Sequence, residues 1–193
     1  MTSTEVEVFY PKSLTAWRKW LEKDHLSKQA VWLVFYNKAS NKFSLTWSES
    51  VEIALCFGWI DSKKIKIDSE TSYQFFSKRK ANSTWSKINK EKVVQLTAKG
   101  LMTDAGLKCI EIAKQNGSWT LLDEVEELII PKDLESKFKA KKGSKEYFLS
   151  LSKTNKKIIL QWVAMAKRPE TRQNRIDEIV VLAGKHQKPK HLQ

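Results

Sequence analysis

Strand-like and helix-like patterns of apolar positions are interspersed in the first 80 residues of the chain, and a helical period follows in most of the remainder. Residues 5–9 (EVEVF) alternate strictly, which predicts a short strand. Residues 30–37 (AVWLVFYN) are nearly all β-branched or aromatic, which predicts a central strand covered on both faces. Ser13 precedes a segment with apolar residues at helical spacing, so we expect it to cap that helix.

Local signals mark the next helix and a hairpin. Thr46 is followed three residues later by Glu49, which is the pattern of a capping box at a helix start. Gly58 stands where a glycine would end that helix. Two alternating or aromatic segments then flank Asp68–Thr71, which predicts a β-hairpin across that turn.

The rest of the chain is typical of helices. We expect helices over residues 85–99 and 103–115, a long helical segment over 144–167 and a last helix over 170–184. Strands are therefore expected only in the first part of the chain. This segregation of elements indicates an α+β fold.

The predicted fold is a small antiparallel or mixed sheet with helices in the N-terminal part, followed by a helical C-terminal part. We expect an α+β domain over residues 1–116, a helical region over 117–184 and a disordered basic tail over 185–193.

Charge is distributed unevenly along the chain, which carries a formal net charge of +13. Residues 61–100 carry 10 basic and 4 acidic groups, and residues 141–193 carry 13 and 4. Such blocks favour an anionic partner, such as a phosphate, a nucleic acid or a membrane surface. The alternative is a solvated lysine-rich surface, since only 5 of the 35 basic residues are arginine.

The two cysteines, Cys56 and Cys109, lie inside apolar runs and have no spacing typical of a metal site. We therefore expect core thiols in a reducing cytoplasm and neither a metal nor a cofactor. No signal peptide is apparent, and no apolar run approaches the ~20 residues of a membrane span. The sequence predicts a cytoplasmic protein that does not insert into a membrane.

Two neighbouring segments carry candidate binding residues. Trp59 and Asp61 follow the expected helix end at Gly58, and side chains at such junctions often take part in binding or catalysis. The alternative is that Trp59 packs in the core and Asp61 caps a turn. The segment that follows the hairpin would suit an anion, because it combines a planar guanidinium, short polar groups, an aromatic ring and a helix start. Those residues are Arg79, Ser83, Trp85 and Asn89. The alternative there is an ordinary capped helix beside a solvated basic run.

A third segment, residues 166–176, places Arg168, Arg172 and Arg175 at helical spacing around a helix start. A phosphate or nucleic-acid contact is one interpretation. The other is a helix start held by arginine–glutamate pairs.

Catalytic patterns are scarce. The three histidines, His25, His186 and His191, lie at an expected helix end and in the tail, which disfavours a histidine-based triad or metal site. The nucleophile-elbow, P-loop and dinucleotide-binding motifs do not occur. The sequence leaves catalysis open and favours a binding protein.

Four motifs in order, at residues 45–62, 83–89, 100–106 and 166–176, resemble the YdeI/OmdA-like family over roughly residues 7–184. The resemblance implies a bacterial, cytoplasmic protein without an established reaction, in a family named for bacteriocin protection and association with the porin OmpD. It also implies a role in envelope stress or tolerance of cationic antimicrobial agents. It further implies that six side chains share one site: Trp59, Asp61, Arg79, Ser83, Trp85 and Asn89.

Three functions remain open. The first is a stress-tolerance protein with a pocket for a small anionic or aromatic ligand, in which Arg79 pairs the anion. Arg172 and Arg175 would approach that pocket from the C-terminal part. The second is nucleic-acid binding through the basic blocks. The third is an enzyme with Asp61 as the base. The sequence does not determine the oligomeric state.

Overall fold

A computed structural model of the chain describes residues 6–192. Within those residues it has nine α-helices, one short 3-10 helix and a four-stranded sheet, and all four strands precede residue 79. The predicted α+β fold with a helical C-terminal part is therefore confirmed. The chain divides into two compact units: unit 1 comprises residues up to 83 together with 88–117, and unit 2 comprises 84–87 together with residues from 118 on.

Unit 1 contains the sheet, whose strands lie in the order β1-β2-β4-β3. The sheet is mixed, because β1 runs parallel to β2 whereas β2 and β3 both run antiparallel to β4. Residue 5 of the predicted first strand lies outside the described residues. The strands are β1 (Val8–Phe9), β2 (Ala30–Tyr36), β3 (Trp59–Lys66) and β4 (Thr71–Lys78).

Two helices of unit 1 begin at the predicted caps, and α3 begins at Lys87, two residues after its predicted start. The hydroxyl of Ser13 accepts from the N–H of Ala16 at the start of α1. Thr46 and Glu49 form a complete capping box at the start of α2, as predicted. These helices are α1 (Leu14–Asp24), α2 (Trp47–Cys56), α3 (Lys87–Ala98, in unit 1 from Ile88) and α4 (Asp104–Gln115).

Gly58 lets β3 follow α2 after only two residues, Phe57 and Gly58. Its φ is +70°, a left-handed conformation that favours glycine, as the sequence predicts at this helix end. A Cβ there would also lie 2.6 Å from Sγ of Cys109. The close approach of α4 and this positive φ together fix where β3 begins.

The two faces of the sheet differ in burial. On the helix face, Val31, Leu33 and Phe76 are fully buried, and the rings of Trp17 and Phe76 lie 5.5 Å apart. The opposite side, here called the ring face, carries the rings that alternate with these residues: Trp32, Tyr36, Tyr73 and Phe75. All four are partly exposed. The strand over residues 30–36 is central, as predicted, but it is not fully covered on both faces.

Unit 2 consists of short helices around an apolar core. The segment expected as one long helix over 144–167 forms two, because Ser152 interrupts it and caps the second by accepting from the N–H of Asn155. The helices are α5 (Asp123–Glu126), α6 (Lys132–Lys139), α7 (Ser144–Ser150), α8 (Lys153–Ala164) and α9 (Pro169–Ala183). Their core includes Leu134, Phe138, Phe148, Ile159, Leu160, Val163, Ile176 and Ile179.

The last described residues lie against unit 2, in the stretch for which the sequence predicts a disordered tail. Residues 190–192 form a 3-10 helix. The ring of His191 lies 4.2 Å from that of Trp162, and the N–H of Lys190 donates to the carboxylate of Glu178. The imidazole and the backbone amide thereby gain partners in the helical unit.

Candidate functional site

Asp61 lies on the helix face of the sheet, beside a β-bulge. Asp61 pairs with Phe76 and Lys64 pairs with Gln74. Between these two pairs β3 advances by three residues and β4 by two, so β3 carries one extra residue. The indole N–H of Trp47 donates to Oδ2 of Asp61 over 2.8 Å. Asp61 is partly exposed, and its carboxylate is engaged by this exposed indole.

Gln74 stabilises the bulge from β4. Its side chain is only 5% exposed, and its amide Nε2 donates to the carbonyls of Ser62 and Lys63 and to Oδ2 of Asp61, at 3.1–3.4 Å. A bulge re-aims the side chains that follow it. Here it directs Lys63 to the ring face while Lys64 lies on the helix face, as their ring contacts show.

Arg79 follows β4 directly and is mostly withdrawn from solvent. Its backbone N–H donates to the carbonyl of Gly58 over 2.9 Å. Burial lowers the pKa of Arg79 to about 10, while the nearby Cys109 and Asp61 act in the opposite direction. Burial likewise raises the pKa of the Cys109 thiol. Asp61 and Arg79, two of the predicted site residues, therefore interact electrostatically within unit 1.

Two tryptophans of the predicted site are core residues. Trp59 is fully buried, donates from its indole N–H to the carbonyl of His25 and packs edge-on against Trp20. Trp85, in unit 2, is 1% exposed and lies 4.9 Å from the ring of Trp119. Both rings are buried against other aromatic side chains, and their predicted place in a shared ligand site stays a prediction.

Ser83 and Asn89 are partly exposed and lie on either side of the start of α3. The backbone N–H of Ser83 donates to the carbonyl of Lys80. The side chain of Asn116 donates to the carbonyl of Ala81, which ties this loop to the end of α4. The common ligand site predicted for these residues stays a prediction.

The three C-terminal arginines belong to unit 2 and differ among themselves. Arg172 makes a bidentate contact with Asp133 and donates to the carbonyl of Val163. These hydrogen bonds outweigh burial and hold the pKa of Asp133 below its ordinary value. Arg175 donates to the carbonyl of Trp162, and its guanidinium lies 5.1 Å above the same ring. Arg168 is exposed at the start of α9.

A cavity at the hairpin end of the sheet was missed by sequence reasoning. This strand-end cavity has a volume of about 470 Å³, within the range of small-molecule sites. It opens on the helix face, since the register places Phe35, Ser72 and Lys66 side by side there. Its lining residues are Phe35, Tyr36, Asn37, Lys64, Lys66, Asp68, Ser69, Glu70, Thr71 and Ser72. The lysines that alternate along β3 were the sequence signal that could have indicated this cavity.

Lys64 and Lys66 are the cations of the strand-end cavity. The ammonium of Lys64 lies 6.0 Å above the ring of Phe35, and neither lysine forms an ion pair within the part of the chain that the structure describes. Asp68 also lines the cavity, but its carboxylate accepts the backbone N–H groups of Glu70 and Thr71 in the hairpin turn. These bonds hold the pKa of Asp68 below its ordinary value.

Across residues 6–192, no group of three or more histidine, cysteine, aspartate or glutamate side chains is placed to hold a metal ion. None of the helices in that range is long and apolar enough to cross a membrane.

Two family models match separate parts of the chain. Residues 9–109 match a domain of unknown function (DUF8412). Residues 127–185 match the family described as bacteriocin-protection, YdeI or OmpD-associated, which confirms the resemblance found in the sequence for that part of the chain. Of the four motifs that carried the resemblance, the arginine-rich one at 166–176 lies inside this match. No curated protein and no solved structure matches the chain.

Proposed function

Since the chain belongs to the DUF8412 family, whose model covers more than half of it, and also matches the bacteriocin-protection family, we propose that it is a bacterial stress-protection protein. In this proposal it binds a small anionic, ring-bearing ligand in the strand-end cavity of unit 1. We further propose that it acts in the cytoplasm, where its two free cysteines would remain reduced.

The observation that carries this proposal is the combination of two cations and an aromatic wall in one cavity. Phe35 provides ring surface on the helix face, and Lys64 and Lys66 provide positive charge at the rim. A ligand with a flat ring and an acidic group would satisfy both at once, because burial of the ring accompanies a charge-assisted contact.

Local charge favours an anion despite the acidic residues nearby. Asp68 accepts two backbone hydrogen bonds in its own turn, so its charge is already stabilised by the protein. Lys42 lies beyond the cavity, 4.7 Å above the ring of Tyr36, and adds to the positive potential at that edge.

Protection would be indirect. A chain of net charge +13 repels a cationic peptide rather than attracting it, so direct capture of such a peptide is disfavoured. Binding of a small anion inside the cell avoids this conflict.

The test is a titration of the full, isotope-labelled chain with phenyl phosphate, a probe with a ring and a dianionic group, followed by NMR. Amide shifts are expected to cluster at residues 35–37 and 64–72. Lys64→Ala and Lys66→Ala should each weaken binding about tenfold, the effect of losing one charge-assisted contact. Lys108→Ala, an exposed lysine of α4, is the matched control and should leave binding unchanged.

Shifts scattered over the basic surface, or equal losses for Lys64→Ala and Lys108→Ala, would refute the proposal. Protection is tested separately: bacteria that express the Lys64→Ala/Lys66→Ala chain should survive a bacteriocin no better than bacteria without the chain.

A further inference from the structure

The ring face of the sheet in unit 1 carries three neighbouring, partly exposed rings from its two central strands. Trp32 of β2 lies directly opposite Phe75 of β4, and their ring centroids are 4.8 Å apart. The ring of Tyr73, two residues along β4, is 6.5 Å from that of Trp32. These rings form one continuous aromatic surface.

A lysine ammonium lies over this surface. Nζ of Lys63 is 5.3 Å from the ring centroid of Trp32 and 5.5 Å from that of Phe75. The bulge in β3 directs it there. By register, no acidic side chain shares this face among the strand residues that the structure describes. The ring face therefore combines aromatic surface with positive charge and lacks the carboxylates that would repel an anion.

Single-stranded nucleic acid has the complementary chemistry. Its bases are flat rings that stack on aromatic side chains, and its backbone carries a phosphate beside each base. Four-stranded sheets of a common RNA-binding module stack two or three bases on exposed rings in this way. A duplex hides the faces of its bases, so it would gain only the charge contact.

We propose that the ring face binds single-stranded nucleic acid, with bases stacked on Trp32, Tyr73 and Phe75 and a phosphate held by Lys63. This site is separate from the strand-end cavity, which lies on the helix face and uses Lys64 and Lys66. Either proposal can fail while the other stands.

The test measures fluorescence anisotropy of labelled single strands of about twelve nucleotides, dT and rU, with the full chain. Affinity should fall between about 50 and 200 mM salt because binding releases counterions. A duplex of equal length should bind at least about tenfold more weakly, since it offers no base to the rings.

Charge reversal locates the site. Lys63→Glu should lower the affinity about tenfold, because it places a carboxylate where a phosphate would lie. Lys108→Glu makes the same change of charge on α4 and should alter the affinity by less than about twofold. Equal losses in the two variants would indicate general attraction to a basic chain and would overturn the proposal.

Ring removal tests stacking. Tyr73→Leu and Phe75→Leu keep apolar bulk but lose the ring, and each should lower the affinity about tenfold, with circular dichroism confirming the fold. Wild-type affinity in both variants would overturn the proposal. Sedimentation tests the alternative that a second copy of this chain covers the ring face. An oligomer that Phe75→Leu dissociates, without any single-strand binding, would assign the ring face to that second copy and overturn the proposal.

Discussion

The two faces of the sheet in unit 1 carry the same kinds of side chain but differ in what those side chains contact. On the helix face, Phe76 is fully buried against Trp17 of α1. Its sequence neighbour Phe75 lies on the ring face, partly exposed, beside Trp32 and the ammonium of Lys63. The pleat alone separates them, because successive side chains of a strand point to opposite faces. One face therefore stabilises the fold, and the other offers rings to solvent.

Truncation of these two phenylalanines should show the largest difference between the faces. Phe76→Ala should lower the free energy of unfolding by about 3–5 kcal/mol, since it leaves a cavity in the core. Phe75→Ala should lower it by about 1 kcal/mol, because only part of its ring is removed from water. Equilibrium unfolding in urea measures both.

The slope of the unfolding curve is the internal control, since it should stay constant if both variants unfold from the same native state. Equal losses at the two positions would show that Phe75 is a core residue. The ring face would then not be available as a binding surface.

The features that the sequence predicts correctly are local ones. The capping box of Thr46 and Glu49, the glycine at 58 and the hairpin turn at Asp68–Thr71 each depend on a few adjacent residues. Such short-range signals do not depend on the rest of the fold. They position β3 and β4, and hence both faces of the sheet.

Contacts between distant residues could not be read from the sequence. The continuous apolar run of β2 gives no indication of which face is covered, so the ring face was not foreseen. The sequence offers Arg172 as a candidate contact for an anionic ligand. In the structure its guanidinium donates two hydrogen bonds to the carboxylate of Asp133, which lies 39 residues earlier in the chain. Trp59 and Asp61 share the helix face, as their spacing of two predicts, yet the first is core and the second reaches solvent.

The bulge links the two faces, and Gln74 is its support. Gln74→Met keeps the side-chain volume but removes the donor to the carbonyls of Ser62 and Lys63. The expected loss in the free energy of unfolding is about 1 kcal/mol, the usual net contribution of hydrogen bonds that are only partly buried. Gln74→Glu should lose at least as much, because a carboxylate cannot donate and would face Asp61. A loss below about 0.5 kcal/mol in Gln74→Met would show that the bulge does not depend on this amide.

The smallest expected effect concerns the lysine on the ring face. Lys63→Ala should lower the free energy of unfolding by about 0.5 kcal/mol, since its ammonium lies over two partly exposed rings. Lys66→Ala, in the same strand and without such a contact, should have no measurable effect. A double-mutant cycle between Lys63→Ala and Phe75→Leu isolates the interaction from changes in strand propensity. Additive losses in that cycle would mean that Lys63 stands near the rings without interacting with them. The positive charge of the ring face would then be free to contact a phosphate without first leaving an aromatic partner.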